Sequence, residues 1–172
     1  MEAIEIGRFE AMVLPHLNSA FSLACYLLRN EDDAQDVTQE ALLRALRHFG
    51  SFRGEQPRAW LLAIVRNTCH TWRRSQRTDS ATTEFDEEVH SDAQDDEHPE
   101  TALIRSADRE RVHRALNELP LEFREVIVLR ELHDLSYREI AEIIGAPAGT
   151  VMSRLSRARQ RLVRVLGTRE EA

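Results

Sequence analysis

The stretch Leu135–Leu166, LSYREIAEIIGAPAGTVMSRLSRARQRLVRVL, decides the fold of this chain. Ser136 followed three residues later by Glu139 is the pattern of a capping box, so a helix is expected to start there. Ile140, Ile143 and Ile144 give that helix an apolar stripe. Gly145-Ala146-Pro147 ends it and begins the next, because glycine tolerates positive φ and proline suits a first helical position. At about 100° per residue, Val151, Leu155, Ala158, Leu162, Val165 and Leu166 fall on one arc of the second helix. Ser153, Ser156, Arg157, Gln160 and Arg164 lie opposite, flanked by Arg154, Arg159 and Arg161. One face packs, and the other carries groups that suit base edges and phosphates in a major groove. This is the pattern of a helix-turn-helix that reads DNA. Taken alone, an Arg-rich amphipathic helix also describes an ordinary solvated surface.

Working outward, the rest of the chain reads as helical, with no strand patterns, so the expected fold is all-α. Two small helical domains are expected, joined by a flexible acidic linker, with the helix-turn-helix in the second. The first covers residues 1–77. Phe9, Val13, Leu17, Ala20, Phe21, Ala24 and Leu28 recur at helical spacing, with Pro15 displacing or kinking the start. Asn30-Glu31-Asp32-Asp33 is a polar break with capping residues, a second helix runs from Ala34 to Phe49, and a third from Arg58 to about Arg77. The linker is placed at 78–104 and the second domain at 105–172. There Val112, Leu116 and Leu119 lead to Pro120, and an apolar segment from Leu121 to Glu131 precedes the helix-turn-helix.

The formal net charge of −7 is unusual for a DNA binder, and its distribution explains why it is not prohibitive. Residues 79–100 hold ten Asp and Glu and no Arg, and without those ten charges −7 becomes +3. Arg53 to Arg77 carries six Arg against Glu55 alone, and Ala148 to Leu166 carries five Arg and no acid. Two basic patches thus flank an acidic spacer. Every basic residue is Arg, a fork that suits guanine and phosphate, although coding bias in a GC-rich genome explains the missing Lys as well. Cys25 and Cys69 lie far apart among apolar neighbours and read as core thiols of a reducing cytosol. The seven His have no metal-ligand spacing, phosphate loops are absent, and no nucleophile–base pair stands out. No metal, cofactor or enzymatic activity is expected. No signal peptide is recognisable, and no apolar run is expected to approach the roughly 20 residues of a membrane span, which leaves a cytoplasmic protein without membrane insertion.

Two further segments carry signals. On the helix from Arg58 to Arg77, Leu61, Leu62, Val65, Cys69 and Trp72 share an apolar arc, while Arg66, Asn67, His70, Arg73, Arg74 and Arg77 share a basic one. Cations beside small polar and aromatic groups suit single-stranded or melting DNA, where phosphates are neutralised and unstacked bases captured. A core helix with a solvated basic face fits the same pattern. Earlier, Asp33, Asp36 and Glu40 share one side of a helix whose Val37 and Ala41 turn inward. That is either a response to the helix macrodipole or a docking face for a basic protein partner.

Taken in order, these segments resemble the extracytoplasmic-function (ECF) sigma factors of bacterial RNA polymerase. Asp33-Ala34-Gln35-Asp36-Val37-Thr38-Gln39-Glu40 is similar to the family's DAEDVxQE segment, with Gln35 in place of its frequent Glu. Trp60-Leu61-Leu62-Ala63-Ile64-Val65-Arg66-Asn67-Thr68 is similar to its WLxxIxxN helix. Glu118-Leu119-Pro120 through Leu162 resembles its closing domain almost throughout. The resemblance implies a promoter-specificity subunit that binds core polymerase, through its clamp coiled coil and flap, and promoter DNA, in a stress or envelope response. Asp33, Asp36, Gln39 and Glu40 would contact the clamp. Arg53 in its loop, with Asn67, His70, Thr71, Trp72, Arg73 and Arg74, would melt and read the minus-ten element. Thr150, Met152, Ser153, Arg154, Ser156 and Arg157 would read the minus-thirty-five element as duplex, although Met152 replaces a basic residue of some relatives. The linker would thread toward the polymerase channels, and an anti-sigma protein is the implied regulator. Read from the residues alone, two rivals remain: a free-standing helix-turn-helix regulator acting as a dimer, and a helical adaptor that binds only protein.

Overall fold

In the computed structural model, residues 3–79 and 99–167 are described, with the side chains of 99–105 left aside. Most of the expected linker, 80–98, lies outside the described residues. Among the described residues every regular element is helical. Helix α1 spans Ala3–Val13 and turns Phe9 and Val13 inward. The expected disturbance at Pro15 is a 3₁₀ turn over Leu14–His16, after which α2 runs Leu17–Leu28. Proline lacks the N–H that would continue the α-helical ladder. Helix α2 stops at Arg29, in the left-handed region at φ 56°, with its N–H on the Cys25 carbonyl at 2.9 Å.

Helix α3, Glu31–His48, starts three residues earlier than the apolar periodicity suggests, because Asn30 accepts the Asp33 N–H at 2.9 Å as an N-cap. Its acidic first turn matches the positive end of the helix dipole. Helix α4 runs Pro57–Asp79, with proline at its first position. Helices α2, α3 and α4 pack mutually around Leu23, Leu27, Val37, Leu61, Leu62 and Val65, all buried. Each such leucine is worth about 1.5–3 kcal/mol. A surface pair such as Glu40–Arg44, at 2.9 Å and half exposed, is worth about 0.3–0.5 kcal/mol. The core fixes this domain, and its surface ions decorate it.

By length and composition the stretch Ala3–Leu28 is apolar enough to cross a membrane, contrary to the expectation that no such run exists. The 3₁₀ turn interrupts it, and Phe9, Val13, Ala20, Leu23, Ala24 and Leu27 are spent on the core.

The second domain opens with α5, Pro99–Glu118, which starts ahead of the boundary expected at 105. Helix α6, Leu121–Ile127, is shorter than the expected segment because a π-helical turn, Val128–Leu132, replaces its last part. Helix α7 spans Tyr137–Ile144 and α8 spans Ala148–Gly167. The capping box is complete: Glu139 N–H donates to Ser136 Oγ at 3.2 Å, and Ser136 N–H donates to Glu139 Oε2 at 2.7 Å. Gly145 sits at φ 67° as expected, while Pro147 precedes α8 and its carbonyl accepts the N–H groups of Thr150 and Val151. It is therefore the cap of that helix and not its first residue. Helices α5, α6 and α7 all pack on α8.

The two domains do not stand apart. Helix α2 packs on α6, α4 packs on α7, and one continuous buried cluster runs from Phe9 to Ala158.

Candidate nucleic-acid interface

Helix α8 divides as the periodicity predicts. Val151, Leu155 and Ala158 are buried, while Met152, Ser153, Ser156 and Arg157 are exposed and Thr150 and Arg154 half-buried. Ser153 Oγ donates to the Thr150 carbonyl at 3.0 Å, which ties two members of the outward face together. The arginines separate into two kinds. Arg159 binds Glu131 at 2.7 Å, and Arg161 lies 4.9 Å from the centroid of the Phe123 ring. Arg154 and Arg157 form no ion pair with a described residue. Guanidinium groups without a described carboxylate partner are suited to take up phosphate or a guanine edge.

On α3, Asp36 and Gln39 are exposed, and Glu40 is half-buried against Arg44. Asp33 differs, because its carboxyl turns toward α4. Burial raises its pKa, Asp36 and Asp32 add to the rise, and the nearby Trp72 indole opposes it. Leu43, one turn beyond Gln39 and Glu40, is 49% exposed on the same stripe. It escaped the sequence reading because a leucine at helical spacing reads as core. The usable signal was that Ala41 and Ala45 already fill the inward positions.

The seven residues assigned to the minus-ten element do not share one surface. Arg53 is held in its loop by Nη1 donating to the Gly50 carbonyl at 2.7 Å and the Phe52 carbonyl at 3.3 Å. Beside Arg53 the Phe52 ring lies tilted against Trp60, with ring centroids 4.7 Å apart, and stacks on Phe49. Asn67, His70, Thr71 and Arg74 form one stripe of α4, in which Thr71 and Arg74 are open and Thr71 Oγ1 donates to the Asn67 carbonyl at 3.0 Å. Trp72 and Arg73 face the other way. Arg73 donates to the Leu27 carbonyl at the end of α2, at 3.1 Å, and burial and the neighbouring Arg29 and Arg77 lower its pKa. Trp72 lines a cleft of about 220 Å³ with Leu28, Asp33, Gln76 and Arg77, where its indole N–H is the group that opposes the rise in the Asp33 pKa. Spacing on the helix placed Arg73 and Arg74 together, and the carbonyls ending α2 pull them apart.

Glu125 was missed, and Arg66, read from the sequence as part of the basic arc, is engaged by it. Arg66 Nε and Nη2 donate to the two carboxylate oxygens of Glu125 at 3.0 and 3.1 Å, and His70 Nε2 lies 2.8 Å from the same carboxylate. Glu125 is 1% exposed. Burial alone would raise its pKa, but the hydrogen bonds from His70 and Arg66 outweigh that and leave it lowered, so it stays a carboxylate. Close by, Arg58 Nη1 donates to the His133 carbonyl at 2.6 Å, and Arg29 Nη1 to the Asn117 carbonyl at 3.1 Å.

Cys25 and Cys69 are free thiols, half-buried and buried, pushed up by burial to about 11 and about 12 respectively. No group of three or more His, Cys, Asp or Glu among the described residues is placed to hold a metal ion.

A two-domain helical protein, with an Arg-bearing helix-turn-helix in one domain and a basic helix beside an acidic stripe in the other, is a DNA-binding protein with a second, macromolecular attachment point. Comparison with known proteins makes the class specific. Residues 12–78 match the family model described as sigma-70 region 2, and residues 109–162 match sigma-70, region 4. The RNA polymerase sigma-H factor of Pseudomonas aeruginosa is 37% identical over 166 residues, covering 92% of this chain and 86% of that protein. The ECF RNA polymerase sigma-E factor of Escherichia coli K12 is 38% identical over 135 residues, covering 74% of this chain and 71% of that protein. Among solved structures, the sigma factor RpoE of Bartonella quintana, crystallised with the anti-sigma factor NepR, is 30% identical. It aligns with a TM-score of 0.80 over 93% of this chain and 97% of its own. The chain belongs to the ECF sigma factors of the sigma-70 family. It therefore binds core RNA polymerase and directs promoter-specific initiation, in a regulatory role.

Proposed function

We propose that the three faces divide the work of promoter recognition. The stripe of Asp36, Gln39 and Glu40, with Asp33 behind it and the exposed Leu43 at its end, docks on the coiled coil of the polymerase clamp. The stripe of Asn67, His70, Thr71 and Arg74, with the Arg53 loop beside it, takes the minus-ten element as it melts. Trp72 and Arg73 support that stripe from behind, with Arg73 anchored on α2. The outward face of α8, with Thr150, Met152, Ser153, Arg154, Ser156 and Arg157, enters the major groove of the minus-thirty-five element. Residues 1–77 and 105–172 act as the two working domains, and 78–104, which takes in the start of α5, as the linker between them.

The observation that carries this reading is the division among the α8 arginines. Arg159 and Arg161, both exposed, are engaged by Glu131 and by the Phe123 ring, whereas Arg154 and Arg157 have no carboxylate partner among the described residues. The reading extends to a cytoplasmic site of action, where the polymerase is, to a stress or envelope response, and to an anti-sigma protein as partner, as for RpoE with NepR.

The test is gel filtration of the purified chain with bacterial core polymerase, followed by run-off transcription on fragmented genomic DNA. Co-elution and discrete transcripts are expected from the wild type. Asp36→Arg should lose co-elution while keeping its helical circular dichroism. Unchanged core affinity in that variant would remove the docking assignment.

A further inference from the structure

The structure carries a contact that recognition of a promoter does not explain: a single buried carboxylate of the second domain gripping the DNA-facing helix of the first. Glu125 belongs to α6, Arg66 and His70 to α4, and the three close a bidentate ion pair and a third hydrogen bond across the domain boundary. Two more cross-domain bonds flank it, Arg58 to the His133 carbonyl and Arg29 to the Asn117 carbonyl. The ring of Tyr26 on α2 meets that of His113 on α5, with centroids 5.1 Å apart. The side chain of Arg66 is only 18% exposed and that of His70 only 23%. Arg66 Nη1 also lies 3.3 Å from Asn67 Oδ1, so the grip reaches the next member of the stripe.

The geometry also shows that this arrangement cannot be the one that works on DNA. The centres of minus-ten and minus-thirty-five elements lie about 25 base pairs apart, which at 3.4 Å per step is about 85 Å of duplex. A compact chain of this length has a radius of gyration of only about 15 Å. With α4 packed on α7, the two reading faces are joined to one compact body and cannot reach both elements.

We propose that Glu125 is a self-inhibitory latch: its carboxylate takes the place of a DNA phosphate on Arg66 and His70, holds the two domains closed, and must be released before the α4 stripe engages DNA. A phosphate and a carboxylate make the same demand on a guanidinium, two parallel N–H donors to a planar pair of oxygens. A buried bidentate carboxylate is thus a competitive occupant of a nucleic-acid site. The closure itself is independent of what α4 reads. The statement that closure covers a DNA-reading surface rests on the minus-ten assignment made above.

Small-angle X-ray scattering of the full chain tests the latch without DNA. Arg66→Glu sets two carboxylates face to face and should raise the radius of gyration from about 15 Å to above about 20 Å, with helical circular dichroism unchanged. An unexpanded, fully helical Arg66→Glu variant would overturn the proposal. Should Arg66→Glu lose helicity, Glu125→Gln decides by the same measurement: expansion supports the latch, and an unchanged radius overturns it. Glu125→Gln leaves α4 untouched, so it also tests what the closure covers. Its affinity for a fluorescein-labelled, 16-nucleotide single-stranded DNA should rise at least about five-fold over wild type, because the occupant has been weakened. Expansion without that gain would confirm the closure and refute the assignment of the α4 stripe to DNA, so the two failures read differently.

Discussion

His133 makes the folded state sensitive to mild acid. It is 4% exposed, under the α4–α7 packing, with its Nε2 buried and without a partner. Burial, with Arg58 beside it, lowers its pKa from 6.5 to about 4. A base depressed in this way binds its proton more readily when the chain is unfolded. Its contribution is therefore fully present above pH 6.5 and is lost as the pH falls from there toward 4. Between pH 7.5 and pH 5 the loss amounts to about 2 kcal/mol, of about 3 kcal/mol in all. For a chain of this size 2 kcal/mol corresponds to a fall in Tm of roughly 4–8 °C. His16 and His113 are also lowered, so the measurement must be differential. Thermal unfolding of the wild type and of His133→Gln is followed at pH 7.5 and 5, and the wild type should lose about 2 kcal/mol more than the variant. Equal losses in the two proteins would refute the argument and mean that His133 is protonated in the folded state.

Three other outcomes are expected. Ser136→Ala removes the oxygen that accepts the Glu139 N–H, and should cost about 1 kcal/mol in urea unfolding, with Ser136→Gly costing less. Arg157→Ala should weaken promoter binding by about 1–3 kcal/mol if the guanidinium meets a base edge, seen as loss at some promoters more than others; a uniform loss would assign it to phosphate. The thiols of Cys25 and Cys69, raised to about 11 and about 12, should react with iodoacetamide at pH 8 far more slowly in the folded chain than in 6 M guanidinium. Rapid labelling of the folded protein would contradict their burial.

The parts of the fold legible from sequence are those set by local chemistry. The capping box of Ser136 and Glu139, the left-handed turn at Gly145 and the inward set of α8 depend on neighbours within a few residues. Pro15 announced a break, but whether it would kink a helix or divide it depended on how Phe9 and Leu23 reach a common core. The π-helical turn after Ile127 was illegible, since nothing in a run of Val, Leu, Arg and Glu distinguishes an added residue per turn from a regular helix. The domain packing was illegible for a different reason. Glu125 stands among Phe123, Val126 and Ile127, and by periodicity a lone acid there reads as the wet side of a helix. Its partners lie 59 and 55 residues away. Among the candidate site residues, Met152, Ser156 and Arg157 stand where the helical wheel puts them, whereas Arg73 is captured by a carbonyl of α2 that no wheel includes.

The depth of Glu125 has one more consequence, for ionic strength. Mobile ions weaken attractions that solvent reaches, and leave an ion pair sealed from water nearly untouched. The phosphate contacts proposed for Arg74, Arg154 and Arg157 are of the first kind, and each phosphate contact displaces counterions whose return is favoured by salt. The pair between Arg66 and Glu125, with the carboxylate 1% exposed, is of the second kind. On the proposed roles, a rise in salt acts mainly on one side of the balance: it loosens the hold on the promoter more than it loosens the closed chain.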